Sequence, residues 1–275
     1  MKIAFTKMQG LGNDFILVDD RGQKLRPGPE LVRFLCARHF GIGADGLITV
    51  AHSDRADLKM RIFNRDGSEA GMCGNGIRCF ALYARDRGLV RGGKMSVETP
   101  AGIMRPEIVA GSVIVDMGEP VLEGPLIPVA LAGRVVDRPA VFGKHRVRMT
   151  CVSMGNPHCV IFYPPGEPPP VEELGPVIES DRLFPEKTNV EFIQVMSRQE
   201  MRLFVWERGA GRTLACGTGA AAAVAAGVLT GRTGRDVLVH LPGGDLRIEW
   251  REDNHLFMTG PAGYVFEGEI DVGEY

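Results

Sequence analysis

No run of basic residues occurs in the 275-residue chain, and the formal net charge is −2. Both facts argue against a nucleic-acid or membrane-surface partner. The longest small-apolar run, Ala220 to Leu229, is too short and too alanine-rich to span a bilayer. Met1 to Gly10 lacks the apolar core of a secretory signal, so a cytoplasmic protein is expected. Cys-x-x-Cys is missing as well. The spacings 73–79 and 151–159 fit no common zinc finger, and a chain of this length without a secretory signal argues against a disulfide framework. Cys36, Cys79, Cys151 and Cys159 therefore read as small buried hydrophobes.

The two remaining cysteines sit in near-duplicate settings: Met72-Cys73-Gly74-Asn75-Gly76 and Ala215-Cys216-Gly217-Thr218-Gly219. Each precedes an apolar stretch that reads as a helix, about Ile77 to Arg87 and about Ala220 to Leu229. A thiol just before a helix faces unpaired backbone N–H groups and the positive end of the macrodipole, which favour thiolate. The duplication extends further. Lys59-Met60-Arg61-Ile62-Phe63 aligns with Glu200-Met201-Arg202-Leu203-Phe204, Thr99-Pro100-Ala101-Gly102 with Leu241-Pro242-Gly243-Gly244, and Met117-Gly118-Glu119-Pro120 with Met258-Thr259-Gly260-Pro261, at offsets of 141 to 143. Such a period is far longer than a solenoid repeat and implies two homologous domains. The expected division is 1–118, completed by a C-terminal strand at 263–275, and 119–262.

Short alternating segments read as strands: Lys2 to Thr6, Phe15 to Asp19, Asp57 to Phe63, Lys94 to Glu98 and Ser112 to Met117 in the first half, then Val190 to Met196, Met201 to Trp206, Asp236 to Leu241 and Asp245 to Trp250 in the second. Glu30 to His39 reads as a surface helix started by Pro29. The helix after Cys216 has no polar face from Ala220 to Ala226 and must be buried on all sides. The expected fold is α+β: two pseudo-symmetric domains, each a curved, mostly antiparallel sheet around one central helix, with few βαβ units. The Pro- and Gly-rich segment from Glu119 to Val141 is the expected crossover between domains, and Pro164 to Pro170 a stiff surface loop. Gly217-Thr218-Gly219-Ala220-Ala221-Ala222 matches a dinucleotide-binding fingerprint by spelling alone. It follows no clear strand, and no acidic residue ends the next one.

Two thiols on opposite sides of a carbon can invert it: the thiolate removes the Cα proton and the thiol delivers one to the other face. With no electron-sink cofactor, amides at the helix N-termini stabilise the carbanion through the substrate carboxylate. A cysteine of pKa about 8.5 is only a few per cent thiolate at neutral pH. A helix terminus contributes at most about 2 kcal/mol, and burial opposes it. Neighbouring titratable groups are therefore needed, and His158 in Gly155-Asn156-Pro157-His158 and Glu207 in Trp206-Glu207-Arg208-Gly209 are the candidates.

The runs Met8-Gln9-Gly10-Leu11-Gly12-Asn13-Asp14-Phe15, Asn64-Arg65-Asp66-Gly67-Ser68-Glu69 leading to Cys73-Gly74-Asn75-Gly76-Ile77-Arg78-Cys79, Met154-Gly155-Asn156-Pro157-His158-Cys159, and Glu207-Arg208-Gly209-Ala210-Gly211 leading to Ala215-Cys216-Gly217-Thr218-Gly219 resemble those of diaminopimelate epimerases. The resemblance runs from Lys7 to Gly263. It implies a cofactor-independent, metal-free amino-acid epimerase that interconverts LL- and meso-2,6-diaminoheptanedioate for lysine and peptidoglycan precursors. Cys73 and Cys216 are then the catalytic pair, tuned by His158 and Glu207. Asn13, Asn75 and the amides around Gly74, Gly217 and Thr218 hold the reacting end, and Asn64, Asn156, Asn189 and Arg208 grip the distal end, helped by the Glu207 carbonyl. Directional donors and acceptors of this kind suit a substrate with two zwitterionic ends. One departure stands out: Gly46 follows Gly41-Ile42-Gly43-Ala44-Asp45 where some family members carry glutamine, so backbone or water is expected to substitute.

The nearest rival is a proline racemase type, which shares the fold and the paired cysteines, but proline lacks the charged far end that the asparagines and Arg208 suit. A phenazine-biosynthesis isomerase type is disfavoured because it lacks the thiol pair. A redox-sensing or metal-binding module remains a different class, in which a Cys73–Cys216 disulfide is a route to inactivation. The partner expected is a small molecule, and the chain is compatible with a homodimer.

Overall fold

The computed structural model describes residues 1–273 other than 24 and 26, so positions 274 and 275 of the expected C-terminal strand lie outside the described residues. The chain divides into two compact units, Met1–Val115 with the segment from Gly260 onward, and Asp116–Thr259.

The first unit contains β1 (Lys2–Gly10), β2 (Asn13–Asp19), α1 (Pro29–Cys36), β3 (Gly46–Ala51), β4 (Leu58–Asn64), β5 (Glu69–Ala70), α2 (Gly74–Asp86), β6 (Val97–Thr99), β7 (Gly102–Met104) and the hairpin β8 (Glu107–Val109) with β9 (Ser112–Asp116). The second contains β10 (Arg138–Phe142), β11 (His145–Ser153), β12 (Pro157–Tyr163), α3 (Val171–Glu179), β13 (Asn189–Ser197), β14 (Glu200–Glu207), β15 (Gly211–Thr213), α4 (Gly217–Leu229), β16 (Asp236–Leu241), β17 (Gly244–Trp250) and β18 (Leu256–Gly260). The last strand, β19 (Gly263–Asp271), returns to the first unit and pairs with β1. Strand order is β19-β1-β2-β3-β4-β6-β7 in the first unit and β10-β11-β12-β13-β14-β16-β17-β18 in the second, with β5 on β4 and β15 on β14.

The sheets are more mixed than the strand pattern suggested. β2/β3, β4/β6, β12/β13 and β14/β16 are parallel pairs, and each is bridged by a crossover that carries a helix. Two of the four crossovers were hard to read. The α3 segment carries Gly175 and Pro176, and β3 opens on a glycine after a glycine-rich run. Helices α2 and α4 begin three residues earlier than the apolar pattern alone marked, because Gly74-Asn75-Gly76 and Gly217-Thr218-Gly219 form their first turns. The segment from Glu119 to Val141 is not a free crossover. It belongs to the second unit, and Ile127, Val129 and Val135 are buried in that unit's core.

Each sheet places a helix on either face, and period-two alternation divides the side chains between them. In the first unit Ile3, Phe5, Ile16, Val18, Leu47 and Phe63 join Leu31, Val32 and Leu35 of α1. The intervening Ile48 and Ile62 reach the first turn of α2, where a Cβ on Gly76 would lie 3.2 and 2.9 Å from their Cδ1 atoms. The second unit repeats this: Cys151, Cys159, Ile161, Val190 and Phe192 pack with Val171, Leu174 and Ile178 of α3. Helix α4 takes the other face, packing on β11 to β14 and on β17. Every residue from Gly219 to Gly227 in α4 is buried, as a helix without a polar face requires.

Close packing around α4 leaves no room for added methylenes. Ala223→Leu should destabilise the protein by about 1–3 kcal/mol in urea unfolding. An unchanged midpoint would show slack that the packing does not suggest.

Candidate active site

Both cysteines are N-caps. Cys73 precedes α2 in extended backbone, φ −141° and ψ 123°, and Cys216 precedes α4 at φ −128° and ψ 109°. The two helices are the same length, 13 residues, and start 143 positions apart. Their first-turn N–H groups have no intrahelical acceptor and face the cap.

In the first unit the cap lies beside the β1–β2 turn. Leu11 and Gly12 both adopt positive φ, 57° and 82°, so the hairpin closes in two residues and delivers Asn13 at the head of β2. Asn13 is fixed by donating to Asp45 Oδ2 at 2.9 Å, and its Oδ1 accepts from Asn75 Nδ2 at 3.2 Å. Cys73 Sγ stands 3.9 Å from the same Oδ1. Arg78, fully buried one turn into α2, donates to Asn75 Oδ1 at 2.9 Å, to Gly74 O at 3.0 Å and to Pro261 O at 3.0 Å. Its guanidinium attracts a negative charge on Cys73. Asn64 is exposed at the end of β4 and donates to Ser68 Oγ at 2.9 Å within its own turn. At Gly46 a Cβ would meet Phe63 O at 2.6 Å, so this backbone has no room for a side chain there.

The second unit is built on the same plan with different chemistry. Cys216 is 5% exposed; its Sγ accepts from the Gly219 N–H at 3.4 Å and lies 3.4 Å from Thr218 Oγ1. Burial is the largest influence on this thiol, followed by Glu207 and Glu191. Together they hold it well above the ordinary 9.0, against the lowering bonds from Thr218 and the Gly219 N–H. The helix terminus therefore does not by itself make Cys216 a thiolate. Glu207, at the end of β14, is itself raised above its usual 4.5 by burial, which outweighs hydrogen bonds from the Thr213 hydroxyl and from Cys216.

His158 is fully buried and bonds to two side chains of its own unit: Nδ1 lies 2.7 Å from Glu191 Oε1 and Nε2 2.9 Å from Asn156 Oδ1. Asn156 in turn donates to Thr218 Oγ1 at 3.3 Å. Buried Asn189 serves the backbone, donating to Pro157 O at 2.8 Å and accepting from the Arg208 N–H at 2.9 Å. The Arg208 guanidinium reaches Glu186 O at 3.1 Å. Thus Asn13, Cys73, Gly74 and Asn75 form one cluster, and Asn156, His158, Asn189, Glu207, Arg208, Gly217, Thr218 and Cys216 gather in the second unit. Asn64 bonds to Ser68 rather than to the first cluster.

Four residues of this machinery were not singled out from the sequence as site residues. Arg78 and Asp45 orient Asn75 and Asn13, as above. Glu179 anchors the turn that carries Arg208, accepting from Trp206 Nε1 at 2.8 Å and from the Gly209 N–H at 3.0 Å. Glu191 partners His158. The signal was there for two of them: an arginine inside an apolar helix, and one acid within Val190-Glu191-Phe192-Ile193.

The family model described as diaminopimelate epimerase matches residues 5–123 and 150–265, one stretch in each half of the chain. The chain belongs to the diaminopimelate epimerase family. Among relatives bearing that name, it is 56% identical to the protein of Moorella thermoacetica, with 98% of this chain and 99% of that one covered. It is 55% identical to that of Pelotomaculum thermopropionicum, over 96% and 98%, and 50% identical to that of Methanococcus maripaludis strain C5, over 98% and 100%. Among solved structures, the fold is shared with a Bacillus anthracis phenazine biosynthesis protein of the PhzF family, at TM-score 0.73 and 18% identity, covering 99% of this chain and 100% of that one. It is also shared with a hydroxyproline epimerase from Agrobacterium vitis, at TM-score 0.72 and 15% identity, covering 99% and 93%.

A carboxyl whose folded pKa is raised favours the folded state below its ordinary pKa and loses that contribution as pH rises through the folded value. For Glu207 this window opens upward from 4.5. Glu207→Gln should therefore gain stability relative to wild type between pH 4 and pH 7 in urea unfolding, about these two points. An identical difference at both pH values would contradict the burial of the charge.

Proposed function

We propose that the protein epimerises diaminopimelate between its LL and meso forms by two-base proton transfer. The observation that carries this reading is the pair of N-cap cysteines on two equivalent helices, each flanked by amide donors. One thiolate takes the Cα hydrogen as a proton, and the electron pair left on carbon spreads into the α-carboxylate. The opposite thiol then gives its proton to the other face. The product leaves with the thiol and thiolate roles exchanged, which is the state that the reverse reaction needs. First-turn N–H groups donate to the carboxylate as negative charge grows on it, where preorganised donors act most strongly.

The halves differ in a way that supports unequal starting states. Arg78 places a buried positive charge near Cys73, whereas Glu207 and Glu191 place acidic groups near Cys216. Cys216 is accordingly the resting thiol, and the base role falls to Cys73. Arg208 and the asparagines would meet the distal amino-acid end, and this requirement for a charged far end separates diaminopimelate from proline. Among the described residues no helix is long and apolar enough to cross a membrane. The same reading places the enzyme in lysine and peptidoglycan precursor synthesis as a cytoplasmic protein. A homodimer is part of that reading, and light scattering measures it.

In deuterium oxide the protein should incorporate solvent deuterium at Cα of LL-diaminopimelate and not of L-proline. An absence of exchange with diaminopimelate would sink the assignment. Cys73→Ala and Cys216→Ala should each lower kcat by at least about 10³-fold, the scale of acid–base and nucleophile deletions, with far-UV circular dichroism unchanged. Turnover near wild type in either variant would show that two thiols are not needed.

A further inference from the structure

Glu191 and His158 are the most deeply buried ionisable pair in the described second unit, each with no exposed side-chain surface, 2.7 Å apart. A pair of this kind is costly to bury, and Glu191 Oε2 has no hydrogen-bond partner at all. The other half of the molecule shows that the scaffold does not require it. Phe15 and Gly46 face each other in parallel register on β2 and β3, as His158 and Asn189 do on β12 and β13. In the first unit Phe15 thus occupies the place of His158, and Ile48 that of Glu191. A Cβ on Gly76 would lie 3.2 Å from Ile48 Cδ1; one on Gly219 would lie 2.8 Å from Glu191 Oε1 and 3.3 Å from Cys216 Sγ. An apolar contact behind one helix cap has become a carboxylate behind the other.

We propose that Glu191 is a positioning residue that, with His158, keeps Cys216 as the proton-donating thiol. This rests on the two-base reading above. The pair holds Asn156 through His158 Nε2, and Asn156 holds Thr218, whose hydroxyl lies against the thiol, so the geometry of the donor is set from behind. Its carboxylate also adds negative charge beside the cap, where a thiolate would be repelled. The acidic groups that reach Cys216 are Glu207 from β14 and Glu191 from β13; α4 contributes the Thr218 hydroxyl and the Gly219 N–H. On the other strands packed against α4, Arg146, Arg148, Asp245 and Arg247 are exposed, and Glu249 is paired with Arg251 at 2.9 Å. Gly219 is required for the arrangement, since any Cβ there would displace the carboxylate.

The test is the rate at which iodoacetamide alkylates each cysteine, followed by peptide mass mapping across pH without substrate. In Glu191→Gln, Cys216 should be alkylated about tenfold faster at neutral pH, corresponding to a midpoint about one pH unit lower, while the Cys73 rate is unchanged. Glu191→Asp, which keeps the charge, should stay close to wild type. The same glutamine variant should lose kcat with KM held. An unchanged Cys216 rate, or a rise at both cysteines together, would overturn the proposal. Should Glu191→Gln not fold, the double substitution His158→Phe with Glu191→Ile restores the first unit's apolar pair. It should also speed alkylation of Cys216, and an unchanged rate there counts equally against the proposal. The absence of Cα exchange by the wild-type protein would overturn the epimerase reading and leave the alkylation result standing.

Discussion

A helix with no polar face has to be enclosed, and much of the molecule follows from meeting that need twice. Helix α4 is buried along nearly its whole length, and α2 is buried from Gly74 to Ala84. Enclosure carries the helix N-termini inside with the rest; of the cysteines that cap them, Cys216 is buried and Cys73 half-buried. The macrodipole and the loose N–H groups then pull a thiol toward thiolate, while burial pushes it back. At Cys216 burial is the stronger influence. The chemistry of each cap is therefore decided by what the surrounding strands bring to it.

The two halves answer differently on one plan. The first half places Arg78 inside the helix and leaves Phe15 and Ile48 apolar at positions where the second has His158 and Glu191. The second half replaces the arginine's position in the helix by Ala221 and puts its charges on β12, β13 and β14. Duplication supplied two caps of equal geometry, and divergence of a few facing side chains made them unequal. The two-base reaction proposed above needs that inequality, and backbone symmetry alone cannot provide it.

Several features were legible without coordinates. Alternation marked nine of the nineteen strands in the described residues, those whose two faces differ most plainly in polarity. The all-apolar run from Ala220 to Ala226 demanded a central helix, and the steady offset between halves demanded two domains. The Gly-x-Gly spelling after each cysteine marked the turns at which the backbone exposes its amides. The parallel crossovers were less visible. Helix α3 hides behind Gly175 and Pro176, and Gly175 is there because a Cβ would meet Trp206 Cγ at 2.6 Å, a constraint that exists only once the helix lies on β14.

The sequence by itself determined the repeat, the buried helices and the cap position of both cysteines, since these follow from local periodicity and motif. Tertiary structure alone decided which groups face which. Glu191 looks like an ordinary strand acid until parallel pairing brings its strand beside that of His158, and that Asn189 holds the Arg208 backbone is visible only in the folded chain. Electrostatic influence depends on distance and burial, which no linear spacing contains. The identity of the two thiols could be read along the chain; the difference between them arose only when the strands came together.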